Sequence, residues 1–323
     1  MQMSMSVNRH ALPIVKELIQ RKNELQVRVE KRPKGATIID AGVAAPGGYA
    51  AGIMATRLCM AGLCEISISS RAFGDFDLAA INVATDQPPI STLASQFAGW
   101  DIKVGDYFGM GSGPARALAL KPKDLYAEIE YEDKADHAII VLESDKLPPD
   151  DAINYVASEC GVRPSKVYAV VTPTNSLAGS VQVSGRITEI GIYKLRRLGL
   201  DPKKILYASG SAPIAPLHPK SARAMGRTND ALYYGGETFY TVGFDDDEKM
   251  KEIVSKAPSS TAKEYGRPFY DIFKSAGFDF YKIDPNLFAP AVVAVNNVKT
   301  GQTFRSGQVN VTVLRETMGI GAV

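Results

Sequence analysis

The 323-residue chain is poor in the residues that disulfide scaffolds, metal sites and hydrolytic triads require. It has three cysteines, Cys59, Cys64 and Cys160. An odd number with no CxxC spacing argues against a disulfide framework or a zinc site, and reduced, buried residues are the better reading. The three histidines, His10, His137 and His218, are scattered, with no HxxxH or HExxH spacing. No metal is therefore expected. No Ser/His/Asp or Cys/His arrangement is legible, and Ser112 lacks the spacing of a nucleophile elbow. No apolar run is long enough to span a bilayer. The N-terminus, Met1-Gln-Met-Ser-Met-Ser, has neither the basic nor the apolar region of a secretory signal, so a cytoplasmic protein is expected. The net charge is only +2, with no block of like charge, so neither nucleic acid nor an anionic membrane is indicated as a partner.

What is present is an ordinary globular composition, 45% hydrophobic and 22% charged, enough for a sizeable core. The length suits one large or two ordinary domains. Residues from Val7 toward Glu30 read mostly as an amphipathic helix with Ile14, Val15, Leu18, Ile19 and Leu25 on its apolar side. Ala36–Ala41, His137–Leu142 and Val167–Val171 read as buried strands, and Cys64–Ser70 and Leu78–Thr85 as alternating ones. Helices are expected over Tyr49–Met60, Ile90–Phe97, Asp150–Cys160 and Asp247–Val254. Strands are expected over Ile205–Ala208 and Phe239–Val242, and the tail segments Ala291–Val298 and Gly307–Leu314 read as a hairpin. Strands and helices alternate, which predicts an α/β class with α+β character. The least committed boundary lies at Pro148-Pro149, giving domains 1–149 and 150–323.

Four segments carry candidate chemistry. Ser184-Gly-Arg-Ile-Thr-Glu-Ile190 opens a predicted helix running to Leu198, with Ser184 as N-cap and Gly199 and Pro202 as stop signals. Arg186 and Glu189 share one face at its start, where the helix dipole and the arginine keep the carboxylate ionised. The same spacing also describes an ordinary first-turn ion pair. Gly109-Met-Gly-Ser-Gly-Pro-Ala-Arg116 follows a strand and precedes a helix. Gly109, Gly111, Ser112, Gly113 and Pro114 read equally as a tight structural turn or as a loop whose backbone approaches a ligand. It is neither a P-loop nor a dinucleotide fingerprint. Gly42–Tyr49 is a second such loop. Asn229 and Asp230, in Gly226-Arg-Thr-Asn-Asp-Ala231, suit either a capped turn or hydrogen bonding to a heterocycle.

Together with Gly99-Trp-Asp-Ile-Lys-Val104, the segments at Ser184–Ile190, Gly109–Arg116 and Gly226–Ala231 resemble methenyltetrahydromethanopterin cyclohydrolases, in the family's order and at similar spacing from Val7 to about Met318. The resemblance implies two α/β domains flanking a deep pocket, a homotrimer, a pterin substrate and no cofactor. It implies that water adds to the cationic methenyl bridge, with Glu189 orienting and deprotonating it. Arg186 would bind and position Glu189. Gly109, Gly111, Ser112, Gly113, Pro114, Ser184, Asn229, Asp230 and Phe97 would contact the substrate. One departure stands out: archaeal members read Ser-Gln-Lys-Ala-Gly-Trp where this chain has Ser95-Gln-Phe-Ala-Gly-Trp100. Phe97 in place of a lysine implies a less anionic tail, such as that of the dephospho pterin, unless the ring simply packs. Two other readings stay open: a pterin-binding module without turnover, and a phosphate- or nucleotide-handling enzyme using Gly109–Gly113.

Overall fold

The computed structural model describes residues 5–279 and 282–321. Its first strands are β1 (Arg28–Lys31), β2 (Thr37–Asp40), β3 (Glu65–Phe73), β4 (Phe76–Thr85), β5 (Trp100–Val104) and β6 (Tyr107–Ser112). β7 (Ala138–Glu143), β8 (Val167–Val171), β9 (Ile205–Pro213), β10 (Glu237–Val242), β11 (Val292–Asn297) and β12 (Thr303–Gly307) follow. The helices before residue 160 are α1 (Val7–Gln20), α2 (Tyr49–Cys59), α3 (Ala115–Ala119), α4 (Lys123–Ile129) and α5 (Asp150–Glu159). Then come α6 (Leu177–Ser184), α7 (Ile187–Arg197), α8 (Ser221–Gly235), α9 (Asp247–Ser255), α10 (Phe269–Ser275) and α11 (Val311–Met318). Pro89–Gln96 is π-helical.

The chain divides into two compact units, one up to Glu65 plus Pro89–Gln182, the other Ile66–Pro88 plus Val183 onward. Pro148-Pro149 falls inside the first unit, between β7 and α5. Each unit is a mixed α/β structure around a six-stranded sheet.

In the first unit the strand order is β1-β2-β8-β7-β6-β5. β2, β8, β7 and the edge strand β5 point the same way, while β1 and β6 run antiparallel to their neighbours. The sheet is buried on both faces. Ile38, Ile140 and Ala169 point into a core shared with α3 and α5, while Ile39, Ile139, Val141 and Val170 join α1 and α2. This double burial explains the unbroken apolar runs of the central strands. α1 begins at Ser6, whose hydroxyl accepts the Arg9 N–H at 3.2 Å. Asn8 ties α1 to the sheet, donating to the Pro114 carbonyl (2.8 Å) and accepting from the Ile139 N–H (3.0 Å). His137 is buried between the Asn8 carbonyl (2.9 Å) and Asp136 (2.8 Å). The cysteines are buried, and burial pushes the Cys64 and Cys160 thiols up to about 12.

In the second unit the order is β12-β11-β10-β9-β4-β3, parallel only between β10 and β11 among the registered pairs. β10 alternates, with Thr238, Tyr240 and Val242 buried and Phe239 exposed, as expected for a sheet packed on one face. α7 packs on β9 and β10, α8 on β9, and α9 on β11 and β12.

Four expectations change. Gly109–Ser112 is not a loop: it belongs to β6, hydrogen-bonded to β5 and β7. Gly226–Ala231 is not a turn but lies within α8. The predicted hairpin ends at Gly307, and Val311–Met318 is helical because Asn310 caps it, accepting the Val313 N–H at 3.1 Å. Its β-branched start imitates a strand, but Leu314 and Met318, four residues apart, are both buried. Finally, the helix predicted from Ser184 begins later, since Ser184 ends α6 and Arg186 is the N-cap of α7.

Candidate functional site

The start of α7 places two charges in a buried setting. Glu189 stands in its first turn and Arg186 immediately before it. Arg186 Nη1 and Glu189 Oε2 are 3.4 Å apart, with 7% and 4% of the two residues exposed. The helix dipole favours the carboxylate there, and the basic residues Lys194, Arg196 and Arg197 complement the other end. A buried ion pair is a poor route to stability, since desolvating two charges costs several kcal/mol, on the order of the attraction gained. Retaining one in a helix start points to a use beyond packing.

The second unit holds this pair in place. Ser184 Oγ donates to the Pro213 carbonyl at 2.8 Å, fixing the turn before α7 to the end of β9. From below, fully buried Tyr240 on β10 donates its hydroxyl to the Thr188 carbonyl at 3.0 Å. Burial first, and then the charge of Glu189, push the Tyr240 phenol up. The hydroxyl reaches the helix only because residue 191 is glycine: a Cβ there would sit 1.9 Å from Tyr240 Oη. Sequence reasoning missed Tyr240. Its signals were an inward position in Glu237-Thr-Phe-Tyr-Thr-Val242 and a glycine inside the facing helix.

The remaining candidates have different surroundings. Asn229 is bonded within α8, donating to the Met225 carbonyl (2.8 Å) and accepting from Tyr233 Oη (2.6 Å). Asp230 accepts the Phe269 N–H at 2.9 Å, and burial raises its pKa well above the usual carboxylate range. It lines a cleft of the second unit with His218, Arg223 and Arg227.

Phe97 and the glycine segment belong to the first unit. Ser112 is buried, its hydroxyl 3.4 Å from both Cys59 Sγ and the Val141 carbonyl. Gly113 adopts φ +93°, a conformation that favours glycine, and its N–H donates to the Ser95 carbonyl at 2.8 Å. Pro114 accepts from Asn8. Next to them, fully buried Arg116 donates to the carbonyls of Lys121 (2.9 Å), Leu93 (3.1 Å) and Ser95 (3.2 Å). Its guanidinium lies 5.1 Å from the centre of the Phe97 ring. Among the described residues no group of three or more His, Cys, Asp or Glu side chains is arranged to hold a metal ion. No helix among them is long and apolar enough to cross a membrane.

The family model described as "Cyclohydrolase (MCH)" matches residues 6–318. A methenyltetrahydromethanopterin cyclohydrolase of Methanococcoides burtonii is 49% identical over 315 residues, covering 98% of each chain. That of Methanothermobacter marburgensis is 48% identical, covering 98% of this chain and 99% of its own. That of Methanocaldococcus jannaschii is 47% identical, covering 98% of each.

Proposed function

The chain belongs to the methenyltetrahydromethanopterin cyclohydrolase family, and from that premise we propose that it hydrolyses 5,10-methenyltetrahydromethanopterin reversibly to the 5-formyl pterin. The carbon of the methenyl bridge is already an amidinium centre, so the protein has to bind it, orient water and manage protons. Water adds to that carbon as Glu189 takes one of its protons. The same carboxyl returns a proton to nitrogen as the carbon–nitrogen bond breaks, and the hydroxyl left by the added water gives its proton to solvent to become the formyl oxygen on the other nitrogen. The ring-opened product is neutral at the former bridge, so the overall reaction releases one proton. Arg186 shares the charge of the substrate bridge and therefore faces Glu189, fixing its geometry. The observation that carries this reading is the buried Arg186–Glu189 pair at the start of α7.

The protein works, in this reading, as a homotrimer in the cytoplasm, with the pterin as its small-molecule partner and no bound cofactor. Phe97 further favours a tail of lower negative charge, such as the dephospho pterin. Its ring lies against the Arg116 guanidinium, which a lysine in its place would repel. Phe97→Lys should shift the ratio of kcat/KM values toward the phosphorylated substrate, and an unchanged ratio would leave Phe97 a packing residue. Nucleotide handling by Gly109–Gly113 finds no support, since Gly109–Ser112 is engaged in the sheet.

The test follows the methenyl chromophore with purified protein and both forms of the substrate. Enzyme-dependent loss of absorbance that disappears in Glu189→Gln supports the assignment. Binding without turnover in the unaltered protein would make it a pterin-binding module instead.

A further inference from the structure

α8 carries Arg223 and Arg227 four residues apart, hence on one face, a spacing at which like charges repel. Neither guanidinium has a carboxylate partner among the described residues. Arg223 lies over the Tyr270 ring, 4.5 Å from its centre. Arg227 donates only to neutral carbonyls, those of Leu217 (3.1 Å) and Pro216 (3.4 Å). Burial and then Arg223 lower the Arg227 pKa, with no carboxylate acting on it. Two cations are thus held together in part by neutral groups, an arrangement that an added negative charge would relieve.

Both arginines line a cleft of about 170 Å³ within the second unit. His218 and Asp230 line it beside them. His218 Nδ1 accepts the Lys220 N–H at 3.0 Å, so a neutral imidazole carries its proton on Nε2, as a donor. Asp230 is 1% exposed and uses one oxygen to accept from Phe269 N–H; the other has no partner among the described residues. Burial raises its pKa, which favours the uncharged form of this carboxyl. Two carboxylates, Asp271 and Glu316, also line the cleft; both are exposed, and their charges add to burial in raising the Asp230 pKa.

We propose that this cleft is a phosphate-type oxyanion site, with the guanidiniums of Arg223 and Arg227 as its charged donors and the His218 ring beside them. Planar guanidiniums suit such groups because they donate two parallel hydrogen bonds. The phosphate arrives either free or as part of a larger molecule, such as the tail of a phosphorylated pterin. The site stands apart from the proposed roles of Arg186 and Glu189.

Isothermal titration of the full-length protein with inorganic phosphate and pyrophosphate tests it. Binding in the millimolar range or tighter is expected, weakened about tenfold by Arg223→Gln, the loss of one charge-assisted contact. Arg227→Lys keeps the charge but loses the planar fork, and should bind less tightly than the unaltered protein. Glu189→Gln should bind phosphate normally, so the site survives even if the catalytic assignment fails. No heat with either anion, or equal binding by folded Arg223→Gln and Arg227→Lys proteins, would overturn the proposal. Phosphate that raises KM for the phosphorylated pterin but not the dephospho form identifies the substrate tail as the source. Binding without competition identifies a separate phosphate-bearing molecule.

Discussion

The two sheets use polar residues in opposite ways. In the first unit the buried polar side chains face backbone: Asn8 joins α1 to β7, and Arg116 holds three carbonyls. The Asp40 carboxylate accepts the N–H groups of Gly42, Val43, Ala44 and Ala45 at 2.7–3.0 Å. In the second unit some charges are also set against another charge or line a cleft, as at Arg186–Glu189 and Arg223–Arg227. Backbone groups must be satisfied wherever they are buried, so polar residues facing them hold the chain in place. A buried charge not committed to backbone remains available to a ligand. By that measure the first unit's motif residues are mostly architectural, and the chemistry proposed for Arg186 and Glu189 belongs to the second.

Substitutions of the two kinds should separate cleanly. Glu189→Gln should lower turnover by about 100- to 10,000-fold while leaving the melting temperature nearly unchanged. Arg186→Ala should lose less. Near-normal turnover in Glu189→Gln would break the contrast at its strongest point. Arg116→Met should do the reverse, costing about 2–4 kcal/mol by leaving buried carbonyls without donors. Its turnover per folded molecule should stay intact, as read by denaturant unfolding beside an assay at low temperature. Gly191→Ala should cost about 1–3 kcal/mol by overpacking against Tyr240, with a fall in kcat as Glu189 shifts. Tyr240→Phe in the same protein should recover part of both, because the clashing hydroxyl is gone; no recovery would remove Tyr240 as the support of α7.

The smallest effect concerns Lys194, nearly fully buried, whose Nζ donates to Asn286 Oδ1 at 2.7 Å. Burial, and then Arg197, lower its pKa to about 8. Between that value and the ordinary 10.5, the unfolded chain keeps a proton that the folded protein has released. Folded-state stability therefore gains with pH across this window. Lys194→Met should lack that gain when its unfolding is compared with the parent's from pH 8 to 10.

Much of this was legible where burial alone decides the pattern. The runs of β2, β7 and β8 announced strands packed on both faces, and α2, α5 and α9 fell close to their expected bounds. Distant partners overrode local preference elsewhere. Asn229 and Asp230 favour turns by themselves, yet inside α8 one bridges Met225 to Tyr233 and the other receives Phe269. Gly109–Ser112 looks like a loop until β5 and β7 pair with it. Ser184 has the chemistry of an N-cap, but its hydroxyl is taken by Pro213. The Arg186–Glu189 pair was readable because three residues on a helix define one face whatever surrounds it.

The division of the chain has a consequence for its synthesis. β3 and β4 form a pair closed at Gly74-Asp75 and belong to the second unit, yet they precede most of the first in sequence. Their partner β9 begins only at Ile205. At about 5–20 residues per second, β4 waits roughly 6 to 25 seconds on the ribosome before β9 is made. During that interval the nascent chain displays an unpaired β4 edge, the kind of template on which strands of other chains assemble. Chaperone dependence of expression should therefore track the sequence of this one hairpin more closely than that of any helix.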